Sequence, residues 1–157
     1  MDLHPDLTDL LAAFASSNVE YLIVGGWAVA FHSEPRYTKD LDILIGTDEE
    51  NLVRVVRALS VFGAPPGIIE QARSLGQDEF LFFGTPPARV DILRSIPGAS
   101  FEDAFHRRHQ VQWSDVPVSI ISRDDLLAAK RAAGRERDLR DVVALEKAAR
   151  AAGNPEG

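Results

Sequence analysis

Three aspartates are the residues of this sequence best suited to carry chemistry. Asp40 and Asp42 are separated by one leucine, and Asp91 lies in a later apolar segment. In a β-strand, residues i and i+2 point to the same face, so the first two carboxylates would project side by side. Carboxylates this close repel each other unless a cation lies between them, and Mg²⁺ prefers hard oxygen ligands of this kind. The spacing therefore predicts a magnesium site.

Asp91 is the third candidate ligand. It lies in the segment from Arg89 to Leu93, where an ionised carboxylate among apolar residues is costly unless it is compensated. If this segment is a strand next to the Asp40 strand, Asp91 joins the same metal site. It could also act as general base for an attacking hydroxyl. One or two Mg²⁺ ions held in this way could stabilise the attacking and leaving oxygens of an in-line displacement.

A glycine pair stands upstream of the aspartates. Gly25 and Gly26 follow a β-rich run and precede a helical segment. Glycine lets backbone N–H groups approach a phosphate closely, and a helix N-terminus adds partial positive charge. A glycine pair alone could be only a tight turn. Its position, with 13 residues (27–39) between it and Asp40, favours a phosphate-binding role.

Hydrophobic periodicity and turn signals predict the elements that must position these residues. Long helices are expected at 6–16, from the cap at 47 to about 60, at 123–133 and at 135–151, and short ones at 27–31, 68–75 and 101–108. Strands are expected at 20–24, 41–45, 79–83, 89–93, 111–113 and 118–121, with a hairpin from 79 to 93. Thr47 and Ser122 are the expected N-caps of the helices that follow them. This order predicts an α/β or α+β domain with a mixed sheet.

Length and composition limit the class of protein. The 157 residues suffice for one domain, expected at 1–152, with a frayed tail at 153–157. The chain has no cysteine, which excludes disulfides, thiolate zinc sites and cysteine nucleophiles. No signal peptide is visible and no apolar run approaches the ~20 residues of a membrane helix. We therefore expect a cytoplasmic protein that does not act at a membrane.

Charge is unevenly distributed. The net charge of −7 is unfavourable for a protein that grips nucleic acid over a wide surface. Basic residues recur from Arg123 onward, so the sequence still permits a local basic face that could bind an RNA end. Charge runs on helices usually form solvated faces, which is the simpler interpretation of Lys130, Arg135 and Asp138. For Arg36, the simpler interpretation is a surface ion pair with the nearby carboxylates.

The segment from Val24 to Ile43 resembles the first motif of the DNA polymerase β-like nucleotidyltransferase superfamily. That motif is a hydrophobic residue, Gly, then Gly or Ser, a spacer, and Asp-hydrophobic-Asp. The string GGWAVAFHSEPRYTKDLDILI is similar to the small bacterial branch. This branch includes minimal nucleotidyltransferases of toxin–antitoxin systems, abortive-infection toxins, and lincosamide or aminoglycoside nucleotidyltransferases. Arg36, Thr38 and the pattern K-x-x-x-G-R-x-x-D-x-x-D from Lys130 to Asp141 also match it.

The resemblance implies an α+β nucleotidyltransferase fold, a mixed β-sheet flanked by helices with further helices at the C-terminal end. It implies Mg²⁺-dependent transfer of a nucleoside monophosphate from an NTP to an acceptor hydroxyl. The implied catalytic and metal-binding residues are Asp40, Asp42 and Asp91. The implied nucleotide-binding residues are Gly25, Gly26, Arg36, Thr38 and Lys130.

The acceptor is left open by the sequence. It could be an RNA end, a protein or a small molecule such as an antibiotic. Because no large C-terminal domain follows, the acceptor could be held by the last helices, by a second subunit of a homodimer or by a cognate partner protein. The alternative function is a non-catalytic nucleotide- or partner-binding module, for example one half of a toxin–antitoxin pair.

Overall fold

A computed structural model describes residues 3–153, and these form seven helices and six strands. The helices are α1 (Pro5–Ser16), α2 (Gly25–His32), α3 (Glu49–Phe62), α4 (Pro66–Arg73), α5 (Phe101–His106), α6 (Arg123–Ala133) and α7 (Glu136–Gly153). The strands are β1 (Tyr21–Val24), β2 (Asp40–Ile45), β3 (Phe80–Phe83), β4 (Arg89–Leu93), β5 (His109–Trp113) and β6 (Val116–Ile120). Each predicted element is present; α6 and β4 have the predicted bounds, and the other elements have shifted ends. Gly153, the first residue of the predicted frayed tail, is the last residue of α7. The rest of that tail, 154–157, lies outside the described residues.

The strands form one mixed sheet in the order β3-β4-β2-β1-β6-β5. β2 pairs in parallel with β4 and antiparallel with β1, while β1 pairs in parallel with β6. The outer strands β3 and β5 close antiparallel hairpins with β4 and β6. The α+β class, the mixed sheet and the hairpin from 79 to 93 are thereby confirmed. The central consequence is that β2 and β4 are neighbours.

The two faces of the sheet differ in how they are covered. On β2 and β4, Leu41, Ile43, Val90 and Ile92 are almost fully buried on one face. The residues that alternate with them on the first part of each strand are only half-buried. This period of two is the signature of a sheet with one packed face and one partly open face. Polar groups of β2 and β4 therefore emerge on the open face.

Helices α1 and α3 cover the packed face. The ring of Phe14 in α1 meets Tyr21 of β1 edge-on, with centroids 5.4 Å apart, and Phe62 of α3 lies 6.2 Å from Phe83 of β3. Phe14 and Leu10 are 0% exposed. Burying a side chain of this size contributes about 1.5–3 kcal/mol, so this layer holds the sheet rigid beneath the opposite face.

Two local predictions are wrong. The N-cap of α3 is Asp48 rather than Thr47, because the Asp48 side chain accepts a hydrogen bond from the N–H of Asn51 at 2.6 Å. Asn51 is fully buried and also donates to the carbonyl of Gly46, which fixes where the helix begins. β6 begins at Val116 rather than 118, since the preceding turn is tighter than predicted. The predicted cap Ser122 is confirmed and accepts from the N–H of Asp125.

None of the described helices combines the length and apolar character needed to cross a bilayer.

Candidate active site

β2 and β4 bring the three predicted carboxylates together. Asp40 and Asp42 alternate with the buried Leu41 on β2, and Asp91 is the register partner of Asp42 on β4. One carboxylate oxygen from each aspartate lies within 4.8 Å of the others. The condition set for Asp91, that its strand lies beside the Asp40 strand, is met, and the three side chains share one face of the sheet.

Burial and mutual repulsion oppose the ionisation of Asp40 and Asp42. Burial, followed by the charges of Asp40 and Asp91, raises the pKa of Asp42 to about 7. Burial, followed by a hydrogen bond and charge from Asp91, also raises the pKa of Asp40. Such a cluster favours either a proton or a cation, and three hard oxygen donors suit a divalent ion such as Mg²⁺. The residues present therefore fit the metal that the resemblance implies.

Arg89 lies against Asp91 and was not singled out by the sequence analysis. Its Nε donates to Oδ1 of Asp91 at 3.1 Å, and the Asp91 side chain is 14% exposed. The guanidinium carbon of Arg89 lies 4.3 Å from the centroid of the Phe82 ring on β3. Arg89 precedes Asp91 by two positions on the same strand, and this spacing is the signal that could have indicated it. The contact orients the Asp91 carboxylate.

The glycine pair ends β1 and forms the first turn of α2, so the predicted helix 27–31 begins too late. Gly25 has φ of +65°, a conformation that L side chains rarely adopt, and a Cβ there would overlap the Asp42 carboxylate. The first N–H groups of a helix have no intrahelical acceptor and carry partial positive charge. The N-terminus of α2 thus lies directly beside the aspartates.

Arg36 and Thr38 lie against Gly26 from the loop before β2. A Cβ at Gly26 would come within 2.8 Å of Cγ2 of Thr38 and 3.4 Å of Nη2 of Arg36. Nη1 of Arg36 donates to Oδ1 of Asp141 in α7 at 2.8 Å. The expected alternative, an ion pair of Arg36 with Asp40 or Asp42, is therefore replaced by a pair with the C-terminal helix. Both residues are adjacent to the glycine turn.

Lys130 of α6 is held by two buried carboxylates of α7. Its Nζ lies 3.4 Å from Oδ1 of Asp138 and 3.0 Å from Oδ2 of Asp141. The interpretation of these residues as a solvated face is wrong for Asp138, whose side chain is 1% exposed. A hydrogen bond from Arg135 lowers the pKa of Asp138 and keeps it ionised. The C-terminal motif is thus an ion network between α6 and α7.

This network places Lys130 at the site. Together with Gly25 and Asp42, Lys130 lines a cavity of about 140 Å³ between the sheet and α6. Burial raises the pKa of Asp42, and the nearby charge of Lys130 acts against that rise. All eight residues implied by the resemblance therefore fall in two adjoining groups around the N-terminus of α2. They are the three aspartates, and the set of Gly25, Gly26, Arg36, Thr38 and Lys130.

Comparison with known protein families gives one decisive match. The family described as "nucleotidyltransferase of unknown function (DUF6036)" matches residues 6–150. The chain belongs to this family. The resemblance to a small member of the nucleotidyltransferase superfamily is thereby confirmed. No curated protein sequence gives a significant match to this DUF6036 nucleotidyltransferase.

Solved structures share the fold of this DUF6036 protein. The lincosamide antibiotic adenylyltransferase LnuA, bound to lincomycin, superimposes with a TM-score of 0.56 at 18% identity, covering 94% of this chain and 99% of that chain. An antigenic nucleotidyltransferase-like protein from Paracoccidioides brasiliensis has a TM-score of 0.49 at 17% identity, covering 91% of this chain and 77% of the other. The likeness to LnuA confirms the predicted nucleotidyltransferase fold.

Proposed function

We propose that this DUF6036 protein is a Mg²⁺-dependent nucleotidyltransferase that moves a nucleoside monophosphate from an NTP to an acceptor hydroxyl and releases pyrophosphate. The observation that carries the proposal is the convergence of Asp40, Asp42 and Asp91, whose oxygens lie within 4.8 Å of one another beside the N-terminus of α2. Family membership supports the reaction class. The carboxylate cluster supports the use of a divalent ion.

Asp40, Asp42 and Asp91 would hold one or two Mg²⁺ ions. The metal would neutralise charge on the phosphates and stabilise the attacking and leaving oxygens. The pKa of about 7 at Asp42 supports this assignment, because at neutral pH a nearby cation would favour the ionised form of that carboxylate.

The phosphates of the NTP would lie on the α2 side of the aspartates. Gly25 and Gly26 present backbone N–H groups there without a Cβ in the way, and the helix N-terminus attracts negative charge. Lys130 borders the same cavity as Gly25, and Arg36 and Thr38 border Gly26. Each of these residues can donate to a phosphate oxygen.

In the reaction, the acceptor oxygen forms a bond to the α-phosphorus while the bond from that phosphorus to the bridging oxygen breaks. Pyrophosphate leaves with the electron pair. The proton of the acceptor hydroxyl passes to the carboxylate of Asp91, which Arg89 holds in position through its Nε.

The assay that tests this proposal combines the purified chain with each labelled NTP, Mg²⁺ and three acceptor pools. The pools are total RNA, total protein and lincomycin, the last because LnuA is an adenylyltransferase of lincosamide antibiotics. We expect Mg²⁺-dependent release of pyrophosphate that is lost in the variant carrying Asp40→Asn and Asp42→Asn. Mg²⁺-dependent NTP binding by calorimetry, without pyrophosphate release from any pool, would instead support the non-catalytic module.

A further inference from the structure

Two phenylalanines are exposed on the edge strand of the sheet. Phe80 is 57% exposed and Phe82 is 50% exposed, although large apolar side chains are normally buried. Their rings stack on each other with centroids 6.1 Å apart and planes 28° apart. The guanidinium of Arg89 lies over the Phe82 ring. We call the set of exposed Phe80 and Phe82 with half-buried Arg89 the aromatic platform.

The aromatic platform shares a sheet face with the catalytic aspartates. Phe82 of β3 is the register partner of Asp91 on β4, and Asp91 is in turn the partner of Asp42 on β2. Paired residues on neighbouring strands point to the same side of a sheet. Phe82 and Asp91 are therefore cross-strand neighbours, with Cβ atoms about 4.5–5.5 Å apart as in any such pair.

The order of groups across this face suits an in-line reaction. From the centre of the sheet outward come the glycine turn after β1, the aspartates of β2, Asp91 and Arg89 on β4, and the phenylalanines on β3. If the triphosphate lies on the glycine turn, pyrophosphate leaves on that side. The attacking hydroxyl must then enter from the opposite side, which is the side of Asp91 and the aromatic platform.

We propose that the aromatic platform binds the acceptor, and that the acceptor is the terminal nucleotide of a single-stranded RNA. This inference rests on the proposed function for its reaction. The unpaired base stacks on Phe82 and Phe80, since every base offers a π-face to an aromatic side chain. The terminal ribose hydroxyl lies at Asp91, one strand further in.

Each of three groups of one nucleotide has a suitable partner group on the protein. The base meets the phenylalanine rings, the phosphate meets the guanidinium of Arg89, and the ribose hydroxyl meets the carboxylate of Asp91. Arg89 is suited to this position because its Nε already bonds to Asp91, so the guanidinium is held in place. An acceptor without an aromatic ring would offer no π-face to the stacked phenylalanines.

The charge of the protein agrees with an end-binding mode. A net charge of −7 disfavours contact along many phosphates, whereas one terminal nucleotide needs only local positive charge and stacking. In the transfer step, the ribose oxygen bonds to the α-phosphorus, Asp91 accepts its proton and pyrophosphate leaves. The RNA becomes one nucleotide longer.

The test measures RNA binding without NTP, so that no transfer occurs and the result does not depend on catalysis. Fluorescence anisotropy with Mg²⁺ compares a short labelled single-stranded oligoribonucleotide with the same strand ending in an abasic ribose, and with a blunt duplex. We expect the abasic end and the duplex each to bind roughly tenfold more weakly, as for the loss of one stacked base.

Variants separate stacking from general surface effects. Phe82→Ala should weaken binding of the base-ended strand roughly tenfold and abolish its advantage over the abasic strand. Phe82→Trp should restore that advantage, and Phe82→Leu should not, because leucine retains apolar area without a π-face. The matched control is Val61→Ala, which truncates a side chain 65% exposed on α3. Phe80→Ala is a second variant that tests stacking in the same binding assay. Circular dichroism and melting curves check that each variant is folded.

Four outcomes would overturn the inference. The first is equal binding of base-ended and abasic strands, and the second is wild-type RNA binding by both Phe82→Ala and Phe80→Ala. The third is a transfer assay that labels protein or lincomycin but not RNA. The fourth is a wild-type dimer that does not bind RNA and that Phe82→Ala converts to monomers. The last would make β3 a subunit interface. If the wild-type protein binds RNA in a base-dependent way but releases no pyrophosphate, the proposed reaction is refuted and the assignment of the aromatic platform as an RNA-binding surface stands.

Discussion

Asp42 and Asp91 face each other directly across the parallel strand pair β2–β4, although they lie in distant parts of the chain. Neighbouring strands are only about 4.8 Å apart, so two carboxylates in register on one face repel each other unless a cation lies between them. Asp40, two residues from Asp42 on the same strand, adds a third charge to this pair. The stability of the protein should therefore depend on pH and on metal.

Without divalent metal, the contribution of Asp42 to the stability of the folded state should fall as pH rises from about 4 toward 7. Asp42 has a pKa of about 7 in the fold, above the value of about 3.9 expected in the unfolded chain, so the folded state holds this proton more tightly. Deprotonation through that window favours unfolding. Melting temperatures in EDTA at pH 5 and pH 8 check this.

Mg²⁺ should reverse this trend, because a cation compensates the ionised carboxylates and competes with protons for them. The metal-induced rise in melting temperature should be larger at pH 8 than at pH 5. Asp42→Asn is the matched control, since it removes the carboxylate whose pKa is raised to about 7 and should reduce the pH dependence in EDTA. A metal-induced shift independent of pH would contradict the assignment.

Gly25→Ala should disturb the metal site through its neighbour. A Cβ at this position would overlap the carboxylate of Asp42, and a φ of +65° costs about 1–2 kcal/mol for a residue with a side chain. We expect lower stability and weaker Mg²⁺ binding by calorimetry. Gly67→Ala is the control, because no atom lies within 4 Å of its added Cβ and alanine favours the helix there. Unchanged metal affinity in Gly25→Ala would count against the site.

Lys130→Met should destabilise the fold and weaken NTP binding together. Removing the ammonium leaves Asp138 and Asp141 with fewer charged partners, a loss of about 1.5–3 kcal/mol for a hydrogen bond to a charged group. Denaturant unfolding measures the stability change, and calorimetry with Mg²⁺ and NTP measures affinity. The exposed Lys147→Met should change stability by less than about 0.5 kcal/mol. If Lys130→Met binds NTP with wild-type affinity, Lys130 does not contribute to nucleotide binding.

The sequence was sufficient to predict the parts of the site that depend on local geometry. The period of two in a strand places Asp40 and Asp42 on one face, and the hairpin turn places β3 beside β4. It was not sufficient for Asp91, because nothing local indicates that its strand pairs with β2. That pairing follows from the packing of the whole sheet, and the sequence analysis could state it only as a condition.

Other features depended on contacts between distant elements. A charged residue in a helix is normally solvated, yet Asp138 is buried because α6 packs on α7 and supplies Lys130. The run EFLFF gives no sign that Phe80 and Phe82 are exposed, since that follows from the edge position of β3 and the partly open sheet face. α2 begins at Gly25, which has a positive φ. A glycine in the sequence permits this conformation but does not predict it.

The most direct test of the central claim is calorimetric titration of Mg²⁺ into the protein with a non-hydrolysable NTP, for wild type and for Asp91→Asn. If Asp40, Asp42 and Asp91 share the cation, wild type should bind one or two ions and Asp91→Asn should bind roughly tenfold or more weakly, at the lower end of the losses seen when groups around a metal are removed. Identical Mg²⁺ stoichiometry and affinity in the two proteins would contradict the shared site.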